Sequence, residues 1–509
     1  MCENIIGRGH PAIDSSIRII QSKSSSSQPT NIEDLNIHEP HHDPESRSTE
    51  KFSKQDSLPA SERHSVFTVR QKQTILMAGS FAAFFSPLSS NVYFPAINTI
   101  AKDLHVSISQ INLTVTTYQI MQGIAPMILA NISDEDGRRP AYLVCFVFYM
   151  AANLGHLGLA LQNSFAALIG LRLLQSAGSS GTIALSLALV GDTVFPAERG
   201  VYIAWASVGD LVGPLISPIV GGLIAQKLDW HWIFWILLIF GACFFLPFLL
   251  FLPETCRTVV GNGSIPPPLL NWSLTDLIRY ISLQKEDARV DQQQTREAHR
   301  KFRFRIPNPL PTLRFAGNFE SFLLLLTNAF ARACFYATTT DASASVNTIY
   351  GFDDIQVSLM FIPIGIGGIA SALARLALGL PLYLAMAVFV ITYGWLLEMH
   401  VSIAGPIDIL FVTSFMLCAS MQVLNTLMVD LWPVSPATAT AANNLFRCEI
   451  GAAASGAIQP TIQSIGRGWT YTTFALISVA FTPLLVFMVK RGMPRRKANL
   501  ASEEEDSKT

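Results

Sequence analysis

The octapeptide S-D-E-D-G-R-R-P, Ser133–Pro140, lies between two stretches without any Asp, Glu, Lys or Arg, Ile111–Ile132 and Ala141–Leu161. Each stretch is long enough for a helix to cross the hydrocarbon core of a bilayer, which takes about 20 residues. Because the link is so short, the two helices must be neighbours. We call Ser133–Pro140 the charged turn, and we predict that it lies at a membrane surface between antiparallel helices.

The composition predicts the same fold class. The chain has 509 residues, of which 50% are hydrophobic and 14% are charged, whereas soluble proteins carry about 25% charged residues. The formal net charge of −1 gives no reason to expect nucleic acid as a partner. The seven cysteines occur singly, so neither a disulfide framework nor a metal site is indicated. The chain is therefore predicted to be an all-α polytopic membrane protein.

Twelve apolar segments are long enough to span a membrane. A polar stretch, Pro253–Thr312, separates the first six from the last six, which predicts two six-helix bundles. In chain order, spans one to twelve are predicted at Thr74–Ala96, Ile111–Ile132, Ala141–Leu161, Phe165–Val190, Val201–Ala225, Trp232–Leu252, Phe319–Thr339, Val357–Leu373, Leu378–Leu397, Ile403–Val429, Ala437–Ile462 and Thr472–Val489.

The remaining segments are polar. The N-terminal segment lacks the apolar core of a signal peptide and is predicted to be a disordered tail. Within the central loop, Leu269–Leu283 is either an interfacial helix or a partly ordered linker. Lys and Arg are concentrated in the charged turn, the central loop and the two tails, so the positive-inside rule places these on the cytoplasmic side. The first tail, first bundle, central loop, second bundle and second tail are predicted at 1–70, 71–256, 257–314, 315–491 and 492–509.

Three motifs give the chain a family resemblance. Besides the charged turn, they are R-L-L-Q-S-A-G in span four, Arg172–Gly178, and G-D-L-V-G-P-L-I-S-P-I-V-G-G in span five, Gly209–Gly222. With these motifs the chain resembles the major facilitator superfamily, and within it the fungal twelve-span drug:proton antiporters of the quinidine- and polyamine-resistance type. N-V-Y-F-P at the end of span one and P-E-T after span six fit the same subfamily.

The charged turn has two interpretations. Gly137 permits a tight reversal, Asp134 can cap a helix or pair with an arginine, and Arg138 and Arg139 are expected to stay in water or to bind lipid headgroups. The resemblance implies a latch that holds the cytoplasmic face closed in one state. The alternative is a plain positively charged turn.

The glycine-rich motif of span five predicts close helix packing, because small residues at helical spacing let membrane helices approach one another. The resemblance adds that this helix forms a moving, leak-blocking interface between the two halves. The motif residues concerned are Gly209, Gly213, Pro214, Gly221 and Gly222.

Ionisable residues inside the spans are candidates for function, because a charge at mid-span costs about 2.5–3.5 kcal/mol on insertion scales. They are Arg172, Asp210, Arg332, Arg447 and Glu449. Arg172 matches an arginine that the resemblance implicates in proton coupling. Asp210 is predicted to be buried, either as a proton-titrating acid or as the ion-pair partner of an arginine.

Polar side chains at helical spacing predict a cavity between the halves. Spans two, seven and eleven supply them: Tyr118, Gln122, Asn328, Arg332, Tyr336 and Asn444. These residues either contact a substrate or form hydrogen bonds between helices, and the sequence leaves both interpretations open.

The two halves carry related but unequal features. Span four ends with Asp192 and span ten ends with Asp430, each followed by a proline. A second copy of the charged turn is expected between spans eight and nine, but only Arg375 stands there. The resemblance implies a longer basic loop at that place. Either the protein has lost this loop, in which case the latch exists in one half only, or the gene model omits coding sequence.

These observations predict a secondary active transporter and no enzyme, since the chain has no phosphate-binding loop and no hydrolase motif. The resemblance implies export of a small organic compound, such as a fungal secondary metabolite, toxin or drug, in exchange for protons, with no other cofactor. A polyamine or dityrosine-like cargo is the alternative, and a non-transporting receptor is the alternative of another class. We expect a monomer in the cell membrane, with the vacuolar membrane as the other location.

Overall fold

A single residue, Gly137, separates the helix of span two from the helix of span three in the computed structural model of the protein. Its φ of 116° lies in a region that only glycine adopts readily. A Cβ atom at this position would collide with the side chains of Asn271 and Glu254. The predicted tight reversal is therefore confirmed, and a larger residue is excluded both by the backbone and by its neighbours.

The structure describes residues 65–159, 164–195, 198–262, 267–268, 271–274, 278, 317–373, 379–431 and 436–483. The predicted second tail, the link between spans eight and nine with Arg375, Pro433, and most of the first tail and of the central loop lie outside these residues.

The described residues form helices and no strand, and they confirm twelve spans in two bundles of six. The first bundle comprises Val69–Asn91 continued by Ile97–Asp103, then Ile108–Asp136, Arg138–Leu159, Phe165–Thr193, Arg199–Lys227 and His231–Phe251. The second comprises Phe319–Tyr350, Asp354–Leu359 with Phe361–Leu373, Gly379–Glu398, Ala404–Leu431, Pro436–Ile465 and Arg467–Ala480.

Eight of the described helical segments are long and apolar enough by themselves to cross a membrane. Spans two and eleven are not among them, because serine, threonine, glutamine and asparagine residues interrupt their apolar sequence. Polar residues in a membrane helix usually face a cavity or another helix. The composition of spans two and eleven therefore indicates that they lie inside the protein.

The packing of the helices agrees with that expectation. Within the first bundle, span four contacts spans one, two and three, and within the second, span seven packs on span eleven and span ten on spans eight and nine. The halves meet along spans two and eleven and along spans five and eight. The polar spans two and eleven thus lie at the centre of the molecule, where the two halves face each other.

Candidate functional site

The charged turn is held by an ion pair with span four. Arg138 donates from Nε to Asp192 Oδ2 at 2.7 Å and from Nη2 to Asp192 Oδ1 at 3.2 Å. It also donates to Ser133 Oγ at 2.6 Å and pairs with Asp134. The Arg138 side chain is only 10% exposed, so the expectation that it stays in water is wrong. Two acids and a hydroxyl surround its charge instead.

Glu254 of the P-E-T motif joins span six to the charged turn. Its carboxylate accepts the backbone N–H groups of Arg138 at 2.8 Å and Arg139 at 3.2 Å, which are the first two of span three. It also accepts a bond from Asn271 Nδ2 at 2.9 Å. Burial raises the pKa of the Glu254 carboxyl, while the backbone N–H groups act in the opposite direction. A distant carboxylate therefore caps span three, as a local residue would in an ordinary N-cap.

Arg139 is also bound within the first half. Its Nε and Nη2 donate to the carbonyl oxygen of Leu249 at 3.1 and 2.7 Å. The described partners of the charged turn thus belong to spans two, four and six and to the start of the central loop. Its possible counterparts in the second half, Arg375 and the side chain of Asp430, lie outside the described residues. A latch between the halves stays a prediction.

The glycine motif of span five brings two neighbours close. A Cβ atom at Gly209, Gly213 or Gly221 would collide with span one, at Ser80, Pro87 and Val92 respectively. One at Gly222 would instead meet Asp354 and Ser358 of span eight, in the other half. Most of the motif therefore packs inside the first bundle, and its last glycine reaches the interface. Pro214, which lies in the sequence between Gly213 and Gly221, is half-buried.

Arg172 is fully enclosed in the first bundle. Its guanidinium group lies over the rings of Tyr93 and Tyr118, with its Cζ atom 4.3 and 4.4 Å from the ring centroids. Nη1 donates to the Ser89 carbonyl oxygen at 3.0 Å and to Gln175 Oε1 at 2.7 Å. The charge is thus stabilised by two aromatic faces and neutral acceptors, without an acid among the described residues.

Asp210 does not join Arg172, and the expectation that it is buried is wrong. Its side chain is exposed, and no ion pair within the described part of the chain involves it. At about 100° per residue, it lies on a different side of the helix from Trp205, Ile216 and Leu223, which are exposed apolar residues. The exposed apolar residue Ile203, seven residues earlier, lies on the same side of the helix as Asp210.

Gln122 is the point at which the predicted cavity residues meet. Its Oε1 accepts a bond from Tyr336 Oη at 3.5 Å, and its carbonyl oxygen accepts one from Asn444 Nδ2 at 3.1 Å. Arg332 Nη2 in turn donates to Tyr336 Oη at 3.3 Å. We call these four residues, with Tyr118, the central cluster; Gln122, Arg332 and Asn444 are partly exposed. Spans two, seven and eleven thus share one polar surface.

Tyr118 connects this surface to Arg172. The tyrosine oxygen lies 2.8 Å from Ser179 Oγ and donates to the Ser86 carbonyl oxygen at 3.2 Å. Gln122 Nε2 donates to the hydroxyl of the same Ser86 at 3.4 Å. Arg172 therefore contacts the central cluster through the ring of Tyr118.

Asn328 is the one predicted cavity residue that the structure places elsewhere. Its Nδ2 donates to Asn425 Oδ1 at 2.8 Å and to Asn443 Oδ1 at 2.7 Å, and it is fully buried. The three asparagines join spans seven, ten and eleven. For Asn328 the structure supports the interpretation as an interhelical hydrogen bond.

Asp341 was missed, because span seven was predicted to end at Thr339 whereas its helix continues to Tyr350. The carboxylate is fully buried and accepts bonds from Ser345 Oγ at 2.8 Å and Tyr471 Oη at 2.9 Å. A polar, serine- and threonine-rich end of span seven was the signal that could have revealed it. Among the described residues no group of His, Cys, Asp and Glu is placed to hold a metal ion.

Hydrogen bonds between the halves lie at the face opposite the charged turn or at mid-height. At that face Ser343 Oγ donates to the Phe94 carbonyl oxygen at 2.7 Å, and Asn98 Nδ2 donates to the Ser343 carbonyl oxygen at 3.0 Å. At mid-height Gln119 Nε2 donates to Ser455 Oγ at 3.2 Å. In the described residues the hydrogen bonds between the halves therefore lie at the central cluster and above it, away from the charged turn.

Two bundles that meet across a polar midplane are the arrangement of many secondary transporters. The family model described as Major Facilitator Superfamily matches residues 79–456. The chain belongs to the Major Facilitator Superfamily. This family assignment makes the protein a membrane transporter of small molecules.

Other members of the superfamily are similar over most of their length. The chain is 48% identical to the MFS-type transporter phiD of a fungal species over 87% of this chain and 72% of that one, and 42% identical to the MFS-type transporter tstD of Talaromyces stipitatus over 91% and 90%. It is 29% identical to Citrate exporter 1 of Aspergillus niger over 83% and 86%. Among solved structures, the inward-open xylose transporter XylE of E. coli superposes with a TM-score of 0.61 over 82% of this chain and 96% of that one, at 13% identity.

Proposed function

We propose that this facilitator exports a small organic compound, of the secondary-metabolite, toxin or drug class, in exchange for protons. The observation that carries the proposal is the central cluster, in which Gln122 of the first half bonds to Tyr336 and Asn444 of the second. A cargo at this place would contact both halves at once. Its binding energy could then differ between the two states of the transporter, which is what drives a coupled cycle.

The charged turn and both tails are proposed to be cytoplasmic, as the Lys and Arg distribution predicts. With that orientation the hydrogen bonds of Phe94 and Asn98 to Ser343 join the halves at the outer face, and we propose that a cargo reaches the cluster from the cytoplasm. This is the state that would load an exported cargo. The Aspergillus niger relative named Citrate exporter 1 supports the direction. The cell membrane is the proposed location.

Proton coupling is assigned to Arg172, with Asp210 as the exposed acid of the same half. Arg172 lies over the ring of Tyr118, so displacement of that ring by a cargo would change the surroundings of the charge. Asp210 is exposed, and we propose that it exchanges protons with water on the inner side of the membrane. A proton taken up or released on the inner side of span five would then alternate with cargo binding.

Proton movement in inside-out vesicles from a host that expresses the chain tests this function. An acid-inside pH gradient is followed with a pH-sensitive dye while quinidine, spermidine, citrate or an extract of the organism that carries this gene is added. An exchanger releases protons from the vesicle when its cargo is added, and Arg172→Ala abolishes the release, whereas Arg70→Gln at an exposed position leaves it unchanged. Cargo uptake at the same rate with and without the pH gradient would contradict proton coupling. Cargo binding without uptake would favour the alternative that the protein is a non-transporting receptor.

A further inference from the structure

Two arginines of the second half lie at the central cluster. Arg332 of span seven donates to Tyr336 Oη at 3.3 Å, and its Cζ atom is 5.0 Å from the Phe335 ring centroid and 4.8 Å from that of Tyr336. Arg447 of span eleven donates from Nη2 to Asn444 Oδ1 at 2.8 Å. Tyr336 and Asn444 are the two residues that bond to Gln122, so both guanidinium groups lie beside the same meeting point.

Neither guanidinium group is satisfied by the protein around it. The Nε atoms of Arg332 and Arg447 are buried and have no hydrogen-bond partner, although a guanidinium group has five N–H donors. Among the described residues no carboxylate lies within ion-pair distance of either arginine. Glu449 is the acid in the neighbouring sequence, and its Oε1 is itself unpartnered. Unmatched positive charge therefore accumulates where the halves meet.

Such an arrangement is costly unless something else completes it. Burying a charge without a partner is strongly unfavourable, and a buried N–H without an acceptor loses the hydrogen bond that water would have given it. The first half avoids this cost at Arg138, where Asp192 and Asp134 lie against the guanidinium. The second half does not. Arg172 of the first half also has an unpartnered Nε, but it is fully enclosed, whereas Arg332 and Arg447 are partly exposed where the halves meet. These two arginines therefore have the properties of a site that awaits an anion.

We propose that Arg332 and Arg447 bind a carboxylate group of the exported compound, an inference that rests on the proposed export function. The planar guanidinium fork matches the two oxygens of a carboxylate, and the charge strengthens each bond. Tyr336 and Phe335 place aromatic rings beside the Arg332 end of the site. A small organic acid with an apolar or aromatic body fits this combination, whereas a polyamine or another cation would be repelled.

The test uses a strain from which the gene for this protein has been deleted, and it compares the compounds that the complemented cells release. The complementing genes encode wild type, Arg332→Gln, Arg447→Gln, Arg332→Lys or the exposed control Arg70→Gln. Compounds that accumulate inside deletion cells and are restored to the medium by wild type are identified by mass spectrometry. We expect these compounds to carry a carboxyl group. Each Gln variant should lower their export at least about tenfold, since hydrogen bonds to charged groups are the strong ones, while Arg332→Lys retains part of it.

Fluorescence-detected size-exclusion chromatography of each variant separates loss of binding from loss of folding. If a Gln variant does not fold, the purified wild type decides the matter: the free acid of the identified cargo should compete for binding at least about tenfold better than its methyl ester. A neutral or cationic cargo, or equal binding of acid and ester, overturns the carboxylate site but leaves the exporter. No change in any compound on deletion overturns the exporter itself.

Discussion

The ion pair between Arg138 and Asp192 predicts a large difference between two acids that contact the same arginine. The Asp192 side chain is 9% exposed and that of Asp134 is 64% exposed. Removing one partner of a buried pair costs about 3–5 kcal/mol because the other charge is left uncompensated, whereas an exposed pair contributes about 0–1 kcal/mol. Since Asp134 still contacts Arg138 in the variant, we expect Asp192→Ala to cost about 3 kcal/mol and Asp134→Ala less than about 1 kcal/mol.

The assay is thermal unfolding of the purified protein, followed by the loss of its monodisperse peak in size-exclusion chromatography. For a domain of about 150–250 residues, 1 kcal/mol shifts the midpoint by about 2–4 °C, so Asp192→Ala should lower it by roughly 6–12 °C. The double variant Arg138→Met/Asp192→Leu should recover part of the loss, because an apolar pair leaves no buried charge. An equal or larger loss for Asp134→Ala would refute this reasoning.

Three further predictions rest on single residues. Gly137→Ala should lower the free energy of unfolding by about 1–3 kcal/mol because of the positive φ at this position. The added Cβ atom would also disturb the contact with Glu254 after span six. Gly170→Ala is the control, since Gly170 has open space around it, and it should change the unfolding midpoint little. Asp341→Leu should lower the unfolding midpoint because Tyr471 Oη loses its acceptor. Asp341→Asn keeps an acceptor oxygen and should lower the midpoint much less. Equal decreases of the midpoint in the two variants would contradict the role of that bond. Asn328→Ala should lower the midpoint by breaking the asparagine triad, while Asn444→Ala should act mainly on transport, which a vesicle assay beside the unfolding assay would separate.

The sequence predicted the spans well because the membrane allows few choices. Any segment inside the hydrocarbon must satisfy its backbone internally, so long apolar runs become helices. The errors in the predicted spans occurred where polar residues are buried inside the protein. Span seven was ended at Thr339 because Asp341 and its neighbouring serines look like a loop. In the structure they are buried in the helix, Asp341 against Tyr471 of span twelve and Ser343 against Phe94 of the first half. Periodicity alone cannot show that a polar stretch is enclosed by other helices.

The site was predictable in its members but not in its partners. Helical spacing brought together Tyr118, Gln122, Arg332 and Tyr336, because residues three or four apart share a face. The bond between Asn444 and Gln122 joins residues 322 positions apart, and no local pattern encodes it. The same is true of Glu254, which caps a helix that begins 116 residues earlier. Placing Asp210 as buried was wrong for a related reason, since the sequence does not say which side of span five faces other helices.

The two halves treat their arginines differently, and this difference is consistent with a division of labour. In the first half Arg138 has two acids, and Arg172, although its Nε is unpartnered, is fully enclosed by two aromatic rings and neutral acceptors. In the second half Arg332 and Arg447 also have neutral partners and unpartnered Nε atoms, but they are partly exposed where the halves meet. A cargo carboxylate would therefore gain most of its binding energy from the second half. Its binding would be transmitted to Arg172 through the contacts of Gln122 and Tyr118. Coupling between the proposed anion site and Arg172 then requires the contact at Gln122, which bonds to Tyr336 and Asn444 of the second half and to Ser86 beside Tyr118 in the first.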